Sequence, residues 1–175
     1  MFTISLDASR ESDFRKIYDT HFSLLLKVAT RVVNDTDVAE DIVHDSFIKM
    51  HEKKMVFASI DDVKYWLLRV VKNASLNYVK RKGREKVAYE KVLQFGSATT
   101  EGSDVSILKA ETKQEVRDAL EKLPIKLKMV LIMREYAELN YKEIGRILQI
   151  SEGNVKVRVH RAREQLAKLL GEENV

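Results

Sequence analysis

The chain has 175 residues, room for one domain or two small ones, and its lack of cysteine, single proline (Pro124) and six glycines exclude disulfide frameworks, thiolate metal sites, thiol catalysis and glycine-rich architectures. Lys and Arg outnumber Asp and Glu by 31 to 27, a formal charge of +4 with a pI near 9.1, which favours polyanionic partners without requiring them. Met1 leads into Asp7, Arg10, Glu11 and Asp13 with no apolar leader, and no apolar run approaches the roughly 20 residues that span a bilayer, so a cytoplasmic protein without membrane insertion is expected.

Three helices are expected in the front half. From about Asp13 to Val33, Phe14, Ile17, Tyr18, Phe22, Leu25, Val28, Ala29 and Val32 recur at three- and four-residue spacing. Asn34-Asp35-Thr36 punctuates that pattern, and a second helix follows from about Asp37 to Lys53 with Val38, Ile42, Val43, Phe47 and Met50 inward. A third runs from about Asp62 to Gly83. The periodicity then fades, and residues 95–104, Phe95 to Asp104, read as a polar, flexible connector. Beyond it come a helix from Glu111 to Leu123, a strongly apolar helix from Ile125 to about Tyr136 with Pro124 near its first position, and two more from Tyr141 to Leu148 and from Ser151 to about Leu170. The expected fold is all-α, in two small helical domains: residues 1–84, a linker over 85–109, and residues 110–175.

A short helix, a tight turn and a longer basic helix form the architecture that places a recognition helix in the major groove of DNA. Ser151 suits an N-cap, and Val155, Val159, Ala162, Leu166 and Leu169 share one face of the last helix. The opposite side carries Gly153, Asn154, Val157, His160 and Arg161, flanked by Lys156, Arg158 and Arg163, which can meet phosphates and base edges. A solvated basic helix face is the alternative on charge alone.

The third helix is a second cationic surface. From Lys64 to Lys86 eight basic residues stand against Glu85 alone. Val63, Leu67, Val70, Val71, Ala74 and Tyr78 project inward, Tyr65, Arg69, Lys72 and Lys80 share the far face, and Trp66, Asn73 and Asn77 line an edge. Rings, amides and cations in one strip suit a separated DNA strand better than a closed duplex. Half-buried core aromatics are an equally available reading of Tyr65 and Trp66.

The second helix reverses the sign. From Asp35 to Asp62 eight acids face Lys49, Lys53 and Lys54, and Asp37, Asp41, His44, Asp45, Ile48 and Glu52 project outward. An apolar Ile48 inside an acidic stripe fits a basic protein helix, or is one of the ordinary exposed apolar residues. No catalytic constellation, phosphate loop, metal site or cofactor motif recommends itself: Asp37, Asp41 and His44 are a few groups on a solvated face, and His21, His51 and His160 fall in separate segments. A non-enzyme is expected.

Three stretches, in this order and spacing, closely resemble the extracytoplasmic-function (group IV) sigma-70 factors of bacterial RNA polymerase: Asp37-Val-Ala-Glu-Asp-Ile-Val-His-Asp-Ser-Phe-Ile-Lys49, Tyr65-Trp-Leu-Leu-Arg-Val-Val-Lys-Asn-Ala-Ser-Leu-Asn-Tyr78, and Tyr141-Lys-Glu-Ile-Gly with Ser151 to Glu164. The resemblance implies that the acidic helix docks on the β′ clamp coiled coil of core polymerase through Asp41, His44, Asp45 and Ile48. It implies that the −10 element is melted and read by the third helix and the loop before it, with Phe57, Ala58, Ser59 and Asn73 at a base pocket beside Trp66, and Asn77, Lys80 and Arg81 on the strand. It assigns the −35 element to Arg134, Tyr141, Lys142, Lys156, Val157, His160, Arg161 and Arg163. Lys142 stands where many members carry an acid, and Val157 where many carry Ser. The family further implies promoter DNA as a partner, a linker running toward the RNA exit path and a separate anti-sigma factor.

A simple helix-turn-helix regulator and a helical adaptor are the competing readings. The first needs neither the acidic stripe nor the Trp66/Asn73/Asn77 strip, and the second leaves both basic faces unexplained.

Overall fold

The computed structural model describes residues 5–93 and 109–171. In chain order these form β1 (Leu6–Asp7), α1 (Glu11–Val33), α2 (Thr36–Glu52), β2 (Val56–Phe57), α3 (Ile60–Leu93), α4 (Lys109–Lys122), α5 (Ile125–Leu131), a π-helical turn (Ile132–Tyr136), α6 (Tyr141–Leu148) and α7 (Glu152–Leu169). Among the described residues the architecture is all-α apart from one minimal antiparallel pair, in which Leu6 faces Phe57 and Asp7 faces Val56. Residues 95–104, expected as a flexible connector, lie outside the described residues.

Local signals explain most boundaries. Asn34 ends α1 in the left-handed conformation and donates its N–H to the Thr30 carbonyl, and the Asp35 carboxylate then accepts from Val38 N to open α2. Pro124 precedes α5 as its extended N-cap residue, one position earlier than expected, because its φ of −54° and ψ of 137° leave Ile125 to begin the helix. The apolar helix expected to run unbroken to Tyr136 instead loosens into the π-helical turn after Leu131.

The largest departure from expectation is α3. Where the connector was expected from residue 85, the helix continues to Leu93. Residues 84–93 contain no proline or glycine, and Arg81–Glu85 and Lys86–Glu90 are ion-paired at i,i+4 spacing, so helix persists without an apolar face to announce it.

In the front unit α1 packs on both α2 and α3 around Ile17, Leu25, Val28, Phe47, Met50, Leu67 and Leu68. On α3 the buried stripe is Val63, Leu67, Leu68, Val71 and Ser75, so Val70, Ala74 and Tyr78, expected inward, are only half-buried. In the rear unit α5 and α6 pack on α7 around Met129, Val130, Ile144, Ile147, Val155 and Val159. Leu166 is half-buried and Leu169 exposed, so the inward face of α7 is shorter than its periodicity suggests.

His21 is buried where α1 meets the start of α3, near the Ile60 carbonyl, with no partner for Nε2 among the described residues. Burial is the largest influence and lowers its pKa below the ordinary 6.5, outweighing the Ile60 carbonyl; the neighbouring Lys64 adds to the lowering. A group neutral in the fold but protonated in the unfolded chain contributes stability that is complete above about 6.5 and is lost as pH falls through the lowered value. Thermal melts should therefore show stability dropping as pH falls below 6.5, and the drop should shrink in His21→Gln. An unchanged slope in a folded variant would remove His21 from the explanation.

Candidate protein and nucleic-acid interfaces

On α2 the outward residues Asp37, Asp41, His44, Asp45, Ile48 and Glu52 are all exposed, because Ala39, Val43, Ser46, Phe47 and Met50 fill the opposite side. Ile48 is 51% exposed. The Ser46 hydroxyl donates to the Ile42 carbonyl, which removes the cost of burying it. The periodicity did not disclose the aromatic ledge beside this stripe. Phe14, Tyr18 and Phe22 of α1 rise in a stacked row, His44 stacks on Tyr18 and Phe22, and Tyr18 Oη lies 3.1 Å from His44 Nε2. A depression of about 540 Å³ lies next to the ledge, between Phe14, Ile48, His51 and the Ser9–Glu11 turn. An exposed isoleucine, flat rings and a ring of carboxylates together can seat an amphipathic, basic helix.

The basic strip of α3 is half occupied by the protein itself. Asn73, Asn77, Lys80 and Arg81 are exposed, and Ala58 is exposed in the loop before the helix. Ser59 begins α3: its hydroxyl accepts from Asp62 N and donates to the Asp62 carboxylate. Phe57 is buried, opposite Leu6 in the strand pair and edge-on to Trp66 with ring centroids 6.1 Å apart, so it forms the floor beneath Trp66 instead of an open pocket wall. Trp66 itself is half-buried. Lys72 has a lowered pKa, chiefly from burial and then from Arg69 beside it.

Tyr65 and Arg69, expected on the far face, are held by the rear unit. The Tyr65 hydroxyl donates to Glu143 Oε1 at 2.9 Å, and Lys64 Nζ lies 3.3 Å from the same oxygen. Arg146 of α6 stacks over the Tyr65 ring at 4.6 Å and pairs with Asp62 at 3.2 Å, while Arg69 donates to the Arg146 carbonyl. Arg31 of α1 lies over the Tyr136 ring at 4.5 Å. Burial raises the Glu143 carboxyl, but the Asn140 N–H, the Tyr65 hydroxyl and Lys64 outweigh it and hold its pKa below the ordinary value. The α3–α6 contacts join positions about eighty residues apart, and no local pattern forecasts them.

The helix-turn-helix is built by three local devices. Asn140 and Glu143 form a reciprocal capping box at the start of α6. Gln149 then turns left-handed, and a Cβ on Gly145 would stand 2.7 Å from the Ile150 carbonyl oxygen, so only glycine lets the turn close this tightly. Ser151 caps α7 by accepting from Asn154 N.

On α7 Lys156, Val157, His160 and Arg161 are exposed together, Val157 at 48%, and Lys142 is exposed on α6. The remaining expected contacts are engaged within the fold. Arg134 donates to the Leu139 carbonyl and lies over the half-buried Tyr141 ring at 5.3 Å. Arg163 pairs with Glu135 at 2.6 Å, and that hydrogen bond raises its pKa. Asn154 accepts from Arg158 Nε. The part of this face that is exposed and without an ion-pair partner among the described residues is therefore Lys156, Val157, His160 and Arg161.

Among the described residues no group of three or more His, Cys, Asp and Glu is placed to hold a metal ion, and no helix is long and apolar enough to cross a membrane.

Comparison with known proteins agrees with this geometry. The family model for sigma-70 region 2 matches residues 17–85, and that for sigma-70 region 4 matches residues 113–166. The chain is 30% identical over 145 residues to the ECF RNA polymerase sigma-E factor of Haemophilus influenzae, covering 78% of this chain and 76% of that protein. It is 27% identical over 165 residues to the ECF RNA polymerase sigma factor SigW of Bacillus subtilis, covering 90% and 88%. In structure it resembles the sigma factor RpoE, solved with the anti-sigma factor NepR from Bartonella quintana, with a TM-score of 0.67, 23% identity and coverage of 93% and 99%. It also resembles CnrH, solved with the cytosolic domain of CnrY, with a TM-score of 0.65, 19% identity and coverage of 95% and 94%.

Proposed function

Because the chain belongs to the ECF sigma-70 family of RNA polymerase sigma factors, it is a promoter-specificity subunit, and we propose how its surfaces divide that work. The observation that carries the assignment is the order of three faces along one chain: an exposed acidic stripe around Ile48, a basic aromatic-amide strip on α3, and a helix-turn-helix whose α7 presents Lys156, Val157, His160 and Arg161. Residues 1–84 form the polymerase-docking and −10 unit, and residues 110–175 the −35 unit.

Asp41, His44, Asp45 and Ile48 dock on the β′ clamp coiled coil, with the Phe14, Tyr18 and Phe22 ledge extending that surface. Trp66, Asn73, Asn77, Lys80 and Arg81 take the separated strand of the −10 element. Ala58 and Ser59 rim the base site over the Phe57 floor. Lys156, Val157, His160 and Arg161 read the −35 element, Lys142 meets phosphate, Arg134 over Tyr141 ties the π-helical turn to α6, and Arg163 with Glu135 ties it to α7. The factor works in the cytoplasm by recruitment, breaks no bond itself and is held inactive by a separate anti-sigma factor.

Each DNA surface is small, and linking both through polymerase raises their effective concentration, so the bipartite site becomes specific only in the holoenzyme. The −35 and −10 elements are about 25 base pairs apart, about 85 Å of duplex, so the α3–α6 contact of the closed chain has to separate on a promoter. Adding the purified chain to bacterial core polymerase on fragmented source genome and mapping RNA 5′ ends should give new starts that share a two-block upstream motif. A chain that ignores core yet protects duplex sites would be an ordinary helix-turn-helix regulator.

Arg161→Ala tests the −35 face. If Arg161 reads a base edge, its loss should cost about 1–3 kcal/mol on the preferred sequence and relax specificity at one position. A uniform loss with a salt slope shallower by about one unit would make it a phosphate contact.

A further inference from the structure

The last ten residues of α3, 84–93, have no role in the assignments above. Residues 80–92 are exposed throughout, and no described helix covers them. At 100° per residue, Lys80, Arg84, Val87 and Lys91 fall on the side of α3 that carries Trp66, Asn73 and Asn77, and no acid lies on that side beyond Asp62. The segment's two carboxylates point elsewhere and are taken, Glu85 by Arg81 and Glu90 by Lys86. Lys80, Arg84 and Lys91 have no ion-pair partner among the described residues, although Arg84 also borders the groove lined by Asp41 and Asp45 of α2. Between these cations sit Gly83, Val87 and Ala88, which share one shallow depression with Lys80, Arg84 and Lys91. Small side chains between cations let a helix lie close to a sugar-phosphate backbone.

The dimensions suit a duplex. Asn77 to Lys91 spans about 21 Å at 1.5 Å per residue, the length of about six base pairs. The strip assigned to separated bases, Trp66 to Arg81, precedes the extension along α3, and the chain leads on from the extension to the −35 unit, so the extension points upstream, where the promoter is still double-stranded. Resting on the sigma-factor reading, we propose that Arg84, Val87 and Lys91 form a phosphate-tracking face that grips the closed spacer duplex just upstream of the −10 element. The ligand is double-stranded DNA, recognised through its backbone and not its sequence.

The test uses holoenzyme carrying Arg84→Ala with Lys91→Ala, substitutions that favour helix. Two templates come from a promoter found in the start-site mapping: one with continuous duplex from −35 through −10, the other a fork with the same single-stranded −10 strand and no spacer duplex. On the continuous template, affinity near physiological salt should fall about tenfold and the salt slope should lose about two units, one for each phosphate contact. Affinity for the fork and for core polymerase should not change, and Lys82→Ala with Lys86→Ala on the other side of α3 should leave all three unchanged. Equal loss on both templates would place these residues on the single strand, weakened core binding would make polymerase the occupant, and no loss anywhere would make the face merely solvated; each overturns the proposal. A wild-type chain that directs no initiation would overturn the sigma-factor reading itself, and this inference with it.

Discussion

Replacing Asp45 and Ile48 together by Arg is expected to abolish binding to core polymerase while leaving the chain folded and its −35 surface active. Both residues project from α2 into solvent, and the core side of that helix, Ala39, Val43, Phe47 and Met50, is untouched. The double variant replaces one carboxylate and the exposed apolar centre of the stripe with two guanidinium groups. Against a basic partner helix, like-charge juxtaposition costs several kcal/mol, so affinity for core should fall by at least about a hundredfold. Exposed substitutions usually move stability by no more than about 0.5 kcal/mol, so the melting curve should hardly shift. Competition against labelled wild-type chain for core, run beside a −35 duplex binding assay, checks both halves. Core binding that survives in a folded variant would move the docking site off α2. Loss of both functions with a lowered melting temperature would mean unfolding.

Arg146→Ala combined with Tyr65→Phe should open the free chain. Together the two changes remove the Asp62 pair, the guanidinium stacked on Tyr65 and the hydroxyl bond to Glu143, while leaving the Asn140–Glu143 capping box of α6 intact. The contact they break is of moderate strength. Lys64 and Glu143 are each about one-fifth exposed, which strengthens their pairing, but Arg146 and Asp62 are more open and more screened. Closure also buries Arg69 Nε without a partner among the described residues, a cost that works against the closed state. A net loss of about 1–2 kcal/mol would shift the ratio of closed to open chains by about 5- to 30-fold. With no native cysteine, Asp19→Cys and Gln165→Cys supply unique label sites on α1 and α7, and energy transfer between them should fall in the variant. Wild-type holoenzyme on a promoter should give the same low transfer. A promoter complex that retains high transfer would mean that the two units never separate. Glu143 adds a pH dependence: the Tyr65 hydroxyl and Lys64 hold its pKa lower in the closed chain than in the open one, where the Asn140 N–H remains, so its part of the latch is lost as pH falls through the lowered value.

What could be read from the chain alone is what is encoded within about one helical turn. Three- and four-residue apolar spacing placed α1, α2, α6 and α7 to within a residue or two, and Ser151 and Asp35 act where short polar side chains before an apolar run satisfy free N–H groups. Projection also identified which residues of α2 face outward, because a helix packed along one side leaves the other to solvent. The same logic failed on α3 once packing came from more than one direction, burying Leu68 and Ser75 and leaving Val70 and Ala74 half-exposed. It missed residues 84–93 because a helix held by i,i+4 ion pairs carries no apolar period.

The site divides in the same way. Residue types and spacing nominated three surfaces and the family, but not which members of each surface are available. Whether Arg163 meets DNA or Glu135, whether Phe57 lines a pocket or floors one, and whether Tyr65 and Arg69 face solvent or α6 depend on partners between 28 and 78 residues away for the pairs Arg163–Glu135 and Tyr65–Glu143. The amino-acid sequence determined the helices, their charge and their likeness to sigma factors, since those reside in neighbouring residues. Only the tertiary structure decided which cations are paired, because a carboxylate brought from another element, as Glu135 is to Arg163, competes with phosphate for the same guanidinium.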